Sequence, residues 1–286
     1  MNLRSLKTKI KSIGNVGQIT KAMQLVSAVK MKKSQGLASQ GKPYRSTLEL
    51  TMKRIVATGS QIEHPLTLVK KNQNLPKLAI VISSNKGLCG VFNFNLFKFL
   101  DKQFGAGLKD YEFVVMGAKA QQFLFHYGAK IVADFSNKLP FENNVNALYD
   151  LLVERFKSDQ VKTVELYYNQ FVSSLVYKPT KKVLLPMDVS SFYDQDEKIT
   201  TQDYLVEPDP FRVLDGLFSF YIESTIRGAI MESEASEHSA RMIAMKNATD
   251  NTSELVQRLS LLRNSLRQTR ITNELLDMNT AKLAVS

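Results

Sequence analysis

The sequence predicts an α/β protein in which two long helices, one from each chain terminus, form a shaft and a small α/β domain is inserted between them. Three observations predict this fold. Helical periodicity covers about residues 3–57, short apolar runs alternate with helical patterns from 76 to 200, and a seven-residue apolar repeat follows. We therefore expect an N-terminal shaft helix at 1–57, a central α/β domain at 76–200 and a C-terminal shaft helix at 211–286.

The N-terminal region carries the protein's net charge. Residues 1–54 contain twelve Lys or Arg and a single acid, Glu49, so their net charge of +11 equals the formal charge of the whole chain. Apolar residues recur at helical spacing in the same region, which predicts a helix that packs along one face and presents cations on the other. Pro43 is expected to bend this helix. The predicted packing stripe consists of Leu3, Leu6, Ile10, Ile13, Ile19, Met23, Val26 and Val29 or Lys30.

The central region alternates between strand and helix patterns, which indicates βαβ units and a parallel sheet. Two longer apolar stretches at the end of this region predict a further strand pair, and the acidic stretch 193–210 predicts a loop. The predicted strands are 78–84, 112–117, 129–135, 161–171 and 173–187, and the predicted helices are 93–105, 118–127 and 143–158.

From Phe211 to about Met278 the apolar residues again follow steps of three and four, with one phase shift after Met242. This pattern is typical of a coiled coil, and the N-terminal helix is the one other predicted helix long enough to cover it. The predicted seam consists of Leu214, Leu217, Tyr221, Ser224, Gly228, Met231, Ala235, His238 and Met242, followed by Met245, Ala248, Thr252, Leu255, Leu259, Leu262, Leu266, Thr269, Asn273 and Leu276.

No set of residues predicts a catalytic, cofactor or metal site. SSNKGLCG at 83–90 lacks the order of known phosphate-binding loops, so a tight strand-to-helix connection with a structural Cys89 is expected. The acids Asp194, Asp196 and Glu197 lack the spacing of a calcium loop and are expected to be solvated. The three histidines are far apart in sequence, and no paired-cysteine pattern exists. We expect no active site formed by this chain alone.

The basic N-terminal helix leaves two functional interpretations open. It could neutralise the phosphates of a nucleic acid, as in a basic coiled-coil nucleic-acid-binding or scaffold protein, although residues 1–43 contain no aromatic side chain to stack on bases. It could instead dock against acidic protein surfaces, which would suit a mechanical subunit. A third interpretation, an enzyme, would require the central domain to bind a nucleotide.

Long segments of the chain resemble one family, the gamma subunits of F-type ATP synthases. The segments are ITKAMQLVSAVKMKKSQ (19–35), KPYRSTL (42–48), ISSNKGLCGVFN (82–93), EPDPFRVLDGLFSFYIES (207–224), ESEASEHSARMIAMKNATDNTSEL (232–255) and NSLRQTRITNEL (264–275). The resemblance implies an antiparallel coiled coil with an inserted Rossmann-like domain. It also implies a central rotor stalk that couples ion flow through the membrane c ring to ATP synthesis or hydrolysis on the beta subunits.

The resemblance further implies the partners and their contacts. The alpha and beta subunits of the catalytic ring, the epsilon subunit and the c ring are the expected partners, and no nucleic acid is expected. Since the start of the chain matches the family's mature start, we expect a peripheral protein at the cytoplasmic face of a bacterial cell membrane. By alignment of the matching motifs, the expected contacts between shaft and ring are Lys21, Met23, Lys30, Lys32, Lys33, Arg241, Arg267 and Gln268.

The C-terminal end departs from the family pattern. Met278, Asn279 and Lys282 replace a tail of small residues, whereas Leu275 and neighbouring apolar residues suit the apolar sleeve that the family implies for this tip. Asn279 and Lys282 are expected to cost free energy in such a sleeve, because it offers them no hydrogen-bonding partners.

Overall fold

A computed structural model describes residues 3–57, 64–72, 74–137, 140–188, 207 and 209–285. The helices are α1 (Leu3–Ala57), α2 (Phe92–Phe104), α3 (Ala118–His126), α4 (Val145–Lys157) and α5 (Pro210–Val285), with 3₁₀ helices at Gly105–Asp110 and Phe141–Asn144. The strands are β1 (Lys77–Ile82), β2 (Tyr111–Met116), β3 (Lys130–Asp134), β4 (Thr163–Phe171) and β5 (Tyr177–Leu185). Every predicted strand and helix is confirmed, with ends that differ by a few residues. The predicted loop acids Asp194, Asp196 and Glu197 lie outside the described residues.

The five strands form one sheet with the order β3-β2-β1-β4-β5. The first four are parallel, and β5 pairs with β4 in antiparallel orientation, which confirms the predicted strand pair. The chain first adds β2 and β3 on one side of β1 and then places β4 on the other side. This reversal around a central strand is the topology of Rossmann-like sheets.

Helices cover both faces of the sheet. The side chains of β1 alternate between them: Leu78, Ile80 and Ile82 belong to one apolar cluster, and Ala79 and Val81 to the other. The second cluster is completed by α2 and α3. The first contains α4 together with parts of both long helices, so the domain core is built partly from the chain ends.

The contacts divide the chain into two units. We call Met1–Ala28 with Arg241–Ser286 the terminal unit, and Val29–Ala240 the central unit. Both long helices contribute to each unit. Pro43 lies inside α1, which continues through it to Ala57.

The seam of α1 differs from the predicted stripe. Leu3, Leu6, Ile10 and Ile13 are buried or half-buried as predicted, but Ile19, Val26, Val29 and Lys30 are exposed and Met23 is half-buried. Smaller residues replace them because a seam of small side chains lets two helix backbones approach closely. The observed positions are Leu3, Leu6, Ile10, Ile13, Gly17, Thr20, Gln24 and Ser27 in the terminal unit, and Met31, Ser34, Ala38, Gly41, Arg45, Leu48, Met52 and Ile55 in the central unit.

The predicted seam of α5 also needs correction. Leu255 and Leu262 are exposed, and the buried or half-buried positions in this stretch are Val256, Leu259, Ser260 and Arg263. The predicted register is wrong in this stretch because residues 255–262 contain four leucines. Only their spacing from Thr252 distinguishes the leucines that face α1 from those that face solvent. Thr269, Asn273 and Leu276, which were also predicted on the seam, are exposed.

Candidate partner-binding surfaces of the terminal helices

In the terminal unit α1 and α5 run antiparallel and touch through small polar residues. The hydroxyl oxygens of Thr20 and Thr249 are 2.8 Å apart, and the Thr249 hydroxyl also donates to the carbonyl of Met245 at 2.8 Å. A methyl group added at Gly17 would stand 2.8 Å from the Thr252 hydroxyl oxygen. The glycine therefore permits a close approach of the two helices at this level.

Large apolar side chains of α1 in this unit point outward. Val16, Ile19, Leu25 and Val26 are all exposed. Of these, Leu25 lines a groove of about 570 Å³, together with Ile13, Gly14, Gly17, Thr252, Val256 and other residues of the two helices. Exposed apolar side chains and an apolar groove are typical of an interaction site.

The sequence interpretation missed this outer apolar surface because it assigned large apolar residues to the seam. A signal was nevertheless present in the sequence. Gly17, Thr20, Gln24 and Ser27 continue the steps of three and four that begin at Leu3, and three of these four are small residues, which let two helices approach closely.

The end of α5 extends past the described residues of α1. Antiparallel pairing of Thr20 with Thr249 brings Leu3 level with Leu266, and α5 continues from there to Val285, roughly 30 Å further. Along this end Ile271, Leu275 and Met278 share one face and are exposed. Ion pairs support the exposed helix within itself, such as that between Arg270 and Glu274 at 2.8 Å. Side chains beyond residue 280, including Lys282, lie outside the described residues.

The predicted contact residues of the terminal unit occupy different environments. Lys21 is exposed and donates to the side-chain oxygen of Gln24 at 3.4 Å, while Met23 is half-buried. Arg267 and Gln268 are exposed and lie where the pairing with α1 ends. Arg241 is 8% exposed, so its side chain is largely enclosed within the protein.

The remaining predicted contacts lie in the central unit, where Lys30, Lys32 and Lys33 are all exposed. Next to them, the Ser34 hydroxyl donates to the carboxylate of Glu234 on α5 at 3.4 Å. Burial raises the pKa of Glu234, and the Ser34 bond and the Lys30 charge oppose that rise. These lysines therefore lie beside the helix pairing while their ammonium groups remain available to a partner.

The loop after β1 uses its polar groups to hold the neighbouring helix. The Ser83 hydroxyl accepts from the backbone N–H of Ala120, and the Asn85 side chain accepts from that of Ala118, each at 2.8 Å. Gly117 has a φ of +118°, and a methyl group there would collide with the Ser83 backbone. The loop therefore connects β1 to α2, as the sequence predicted, and its polar side chains also bind the N-terminal amides of α3.

Two further observations concern metal binding and membrane insertion. Within the described ranges, no cluster of three or more His, Cys, Asp or Glu side chains has a geometry that could hold a metal ion. In the same part of the chain, no helix combines the length and the apolar character needed to cross a membrane.

Comparison with known proteins gives one consistent result. A family model described as ATP synthase matches residues 2–285. The chain is 36% identical to the ATP synthase gamma chain of Psychrobacter arcticus, over 100% of this chain and 99% of that one. The chain belongs to the ATP synthase gamma chain family. It is also similar to the gamma chains of Coxiella burnetii, at 32% identity over 99% of this chain and 98% of that one, and of Pelotomaculum thermopropionicum, at 34% over 96% and 95%.

Solved structures show the same fold as this gamma-family chain. A rotor chain of the Euglena gracilis mitochondrial ATP synthase has a TM-score of 0.65 at 18% identity, covering 94% of this chain and 98% of its own length. A chain from the central stalk and c ring of the Tetrahymena thermophila enzyme has a TM-score of 0.60 at 22% identity, covering 80% and 99%. The family membership and the fold that the sequence resemblance implied are both confirmed.

Proposed function

We propose that this gamma-family chain is the central rotor shaft of an F-type ATP synthase, which couples ion flow through the membrane c ring to ATP synthesis or hydrolysis on the beta subunits. One observation carries the proposal: two long helices from opposite ends of the chain pair through small residues and turn apolar and basic side chains outward. Such a shaft can bias several catalytic sites by making different contacts with each of them, and needs no chemistry of its own.

The expected partners follow from this role. A ring of alpha and beta subunits would cover the exposed apolar residues of α1 and the protruding end of α5, while the epsilon subunit and the c ring would contact the central unit. The related rotor chains were solved in assemblies described as a rotor and as a central stalk with its c ring. The three gamma chains named above that exceed 30% identity come from bacteria, which supports a peripheral location at the cytoplasmic face of a bacterial cell membrane.

The proposed ring contacts differ in their chemistry. Lys21, Lys30, Lys32 and Lys33 present cations to acidic segments of the beta subunits, where they give electrostatic complementarity. Arg267 and Gln268 offer hydrogen-bond donors where α5 leaves its pairing with α1. Met23 contributes apolar contact, and the enclosed Arg241 acts by holding its neighbours in place.

We further propose that the chain has no active site of its own. The loop after β1, the feature that most resembles a nucleotide loop in the sequence, directs its serine and asparagine groups at the backbone of α3. Equilibrium dialysis of the isolated chain with ATP tests this point, and micromolar binding to the central domain would contradict it.

Co-expression with cognate alpha and beta subunits tests the shaft role. We expect one copy of this chain in a complex with three alpha and three beta subunits, and faster ATP hydrolysis than by the ring alone. Absence of any association would contradict the role. Binding of DNA at physiological salt, with an affinity that falls steeply as salt rises, would favour the nucleic-acid interpretation instead.

Charge reversal tests the proposed electrostatic contacts. The triple variant Lys30→Glu, Lys32→Glu, Lys33→Glu is expected to assemble but to pump several-fold fewer ions per ATP in reconstituted vesicles. A matched control reverses Lys98, Lys102 and Lys109, which are exposed residues of the inserted domain, and so changes the net charge equally. Equal pumping by the two triple variants would contradict docking through the α1 lysines.

A further inference from the structure

Arg45 occupies a seam position of α1 in the central unit, where an apolar residue would be usual. Its guanidinium lies across Gly228 of α5 and donates to the backbone carbonyl of Ser224 at 3.3 Å. A methyl group added at Gly228 would overlap Nη1 of Arg45 and stand 2.8 Å from its Cζ. The Arg45 guanidinium therefore occupies space that is free because residue 228 is a glycine.

Further polar groups surround this contact within the central unit. The Tyr221 hydroxyl on α5 donates to the carboxylate of Glu49 on α1 at 2.9 Å, and the Lys182 ammonium of β5 lies 5.5 Å from the centre of the Tyr221 ring. Glu232 on α5 is buried, and its Oε2 makes no hydrogen bond with the described residues. The cluster thus contains groups from both long helices and from the edge strand of the sheet.

Charges oppose one another across the cluster. Burial raises the pKa of Glu232, while the positive charges of Lys42, Arg45 and Lys182 lower it. Burial lowers the pKa of Lys182, and Glu49 opposes that effect. Glu232 is the buried member of this cluster, so removal of a nearby positive charge leaves its carboxylate less compensated.

We propose that Arg45 is a positioning residue of the rotor: its interlock with Gly228 fixes the register of α1 against α5 and the sheet, so that torque passes between shaft and domain without slip. This inference rests on the proposed shaft function. A polar residue at a position of a helix seam where apolar residues are usual is a known means of fixing register.

Apolar packing alone would fix the register less firmly. Leu48, Met52 and Ile55 follow Arg45 along the same seam and belong to the large apolar cluster on one face of the sheet. Apolar contacts are non-directional, so they resist separation of the helices more than sliding along the axis. The Arg45 hydrogen bond to a backbone carbonyl has a defined direction and therefore opposes sliding.

The interlock is tested first by the melting temperature of the full chain. We expect Gly228→Ala to lower it in the presence of Arg45, but to leave it unchanged or raise it in an Arg45→Ala background, because alanine is the better helix former. Gly216→Ala is a matched control, since a methyl group on this α5 glycine meets nothing within 4 Å. An equal shift by Gly228→Ala in both backgrounds would overturn the interlock.

The coupling role needs a measurement that stability alone does not change. In synthase reconstituted into vesicles, Arg45→Ala is expected to retain ATP hydrolysis while pumping at least twofold fewer ions per ATP. A wild-type ratio for Arg45→Ala and Gly228→Ala alike would overturn the positioning role and leave the shaft function intact. If the wild-type chain itself fails to support ATP-driven pumping, that result would contradict the shaft function and, with it, the coupling role of Arg45.

Discussion

The two long helices pair in different ways in the two units of the molecule. In the central unit the large apolar side chains face inward, and Met52, Phe218 and Ile222 lie in one cluster with the sheet. In the terminal unit the seam of α1 changes after Ile13 to smaller or polar residues such as Gly17 and Thr20, while Ile19 and Val26 face solvent. The helix pairing in the central unit thus rests on a large apolar cluster, whereas part of the pairing in the terminal unit rests on small and polar contacts.

The largest effect is expected where the central unit buries an aromatic ring. Phe218→Ala should reduce the free energy of unfolding by about 3–5 kcal/mol, because this side chain is 1% exposed and its removal leaves a cavity. Phe220, on the same helix, is 55% exposed, and Phe220→Ala should cost below about 0.5 kcal/mol. Denaturant unfolding of the full chain measures both. Similar losses for the two variants would remove the distinction between inward and outward positions of α5.

An intermediate effect is expected in the terminal unit. Leu259 is 9% exposed, and Leu259→Asp should destabilise the local helix pairing by roughly 2 kcal/mol, because an unpaired charge replaces a seam contact. Hydrogen exchange of the amides between residues 3 and 13 should accelerate accordingly. Leu261, 71% exposed, supplies the control, and Leu261→Asp should leave exchange unchanged. Faster exchange in the control alone would show that the seam described for α5 is shifted.

A smaller, pH-dependent effect is expected from a buried histidine of the central unit. The Nδ1 of His64 accepts from the backbone N–H of Leu66 at 3.2 Å, and its Nε2 lies 3.1 Å from the carboxylate of Asp215. Burial lowers the pKa of His64, a shift that Asp215 opposes and Lys157 reinforces. The unfolded chain therefore binds the proton more readily, so this contribution to stability is complete above about pH 6.5 and falls as the pH drops towards the lowered pKa.

Unfolding experiments between pH 7.5 and 5 measure that loss, which for one group is at most about 1.4 kcal/mol per pH unit. His64→Gln removes the titration and should flatten this part of the profile. An unchanged acid-side slope in the variant would assign the loss to other groups.

The smallest effect compares two glycines of α1 in the terminal unit. A methyl group at Gly14 meets nothing within 4 Å, so Gly14→Ala should stabilise the helix by up to about 1 kcal/mol. The same change at Gly17 must displace the Thr252 hydroxyl and should therefore give less stabilisation, or none. Thermal melting followed by circular dichroism detects the difference. An equal gain at both positions would mean that the helices are not in close contact at Gly17.

Regular elements could be predicted from the sequence because each has a clear period. Short β-branched runs such as 78–84 marked the strands, and long repeats marked the terminal helices. The inner face of α1 could not be predicted in the same way. Prediction of an inner helix face relies on large apolar residues at helical spacing. Ile19 and Val26 have that spacing, yet their side chains are exposed. The environment of a side chain in a multi-subunit shaft depends on partners that the sequence of one chain does not contain.

The candidate contact residues could be named from motif resemblance but not from physical pattern. Exposure of Lys32 and Lys33 agrees with the basic face that charge and helical periodicity predicted, whereas Lys30, a possible member of the predicted packing stripe, is exposed as well. The enclosure of Arg241 and the fit between Arg45 and Gly228 depend on packing between residues far apart in sequence. No local pattern encodes such pairs, since each member satisfies the helical period without the other.

The pairing of the chain ends also has a consequence for synthesis. Thr20 and Thr249 are 229 residues apart, so at roughly 5–20 residues per second the first helix waits on the order of ten to fifty seconds for its partner. A helix without tertiary packing is marginal in water. The segment richest in lysine and arginine is therefore the one left unpaired longest on the ribosome, in reach of the polyanions around it.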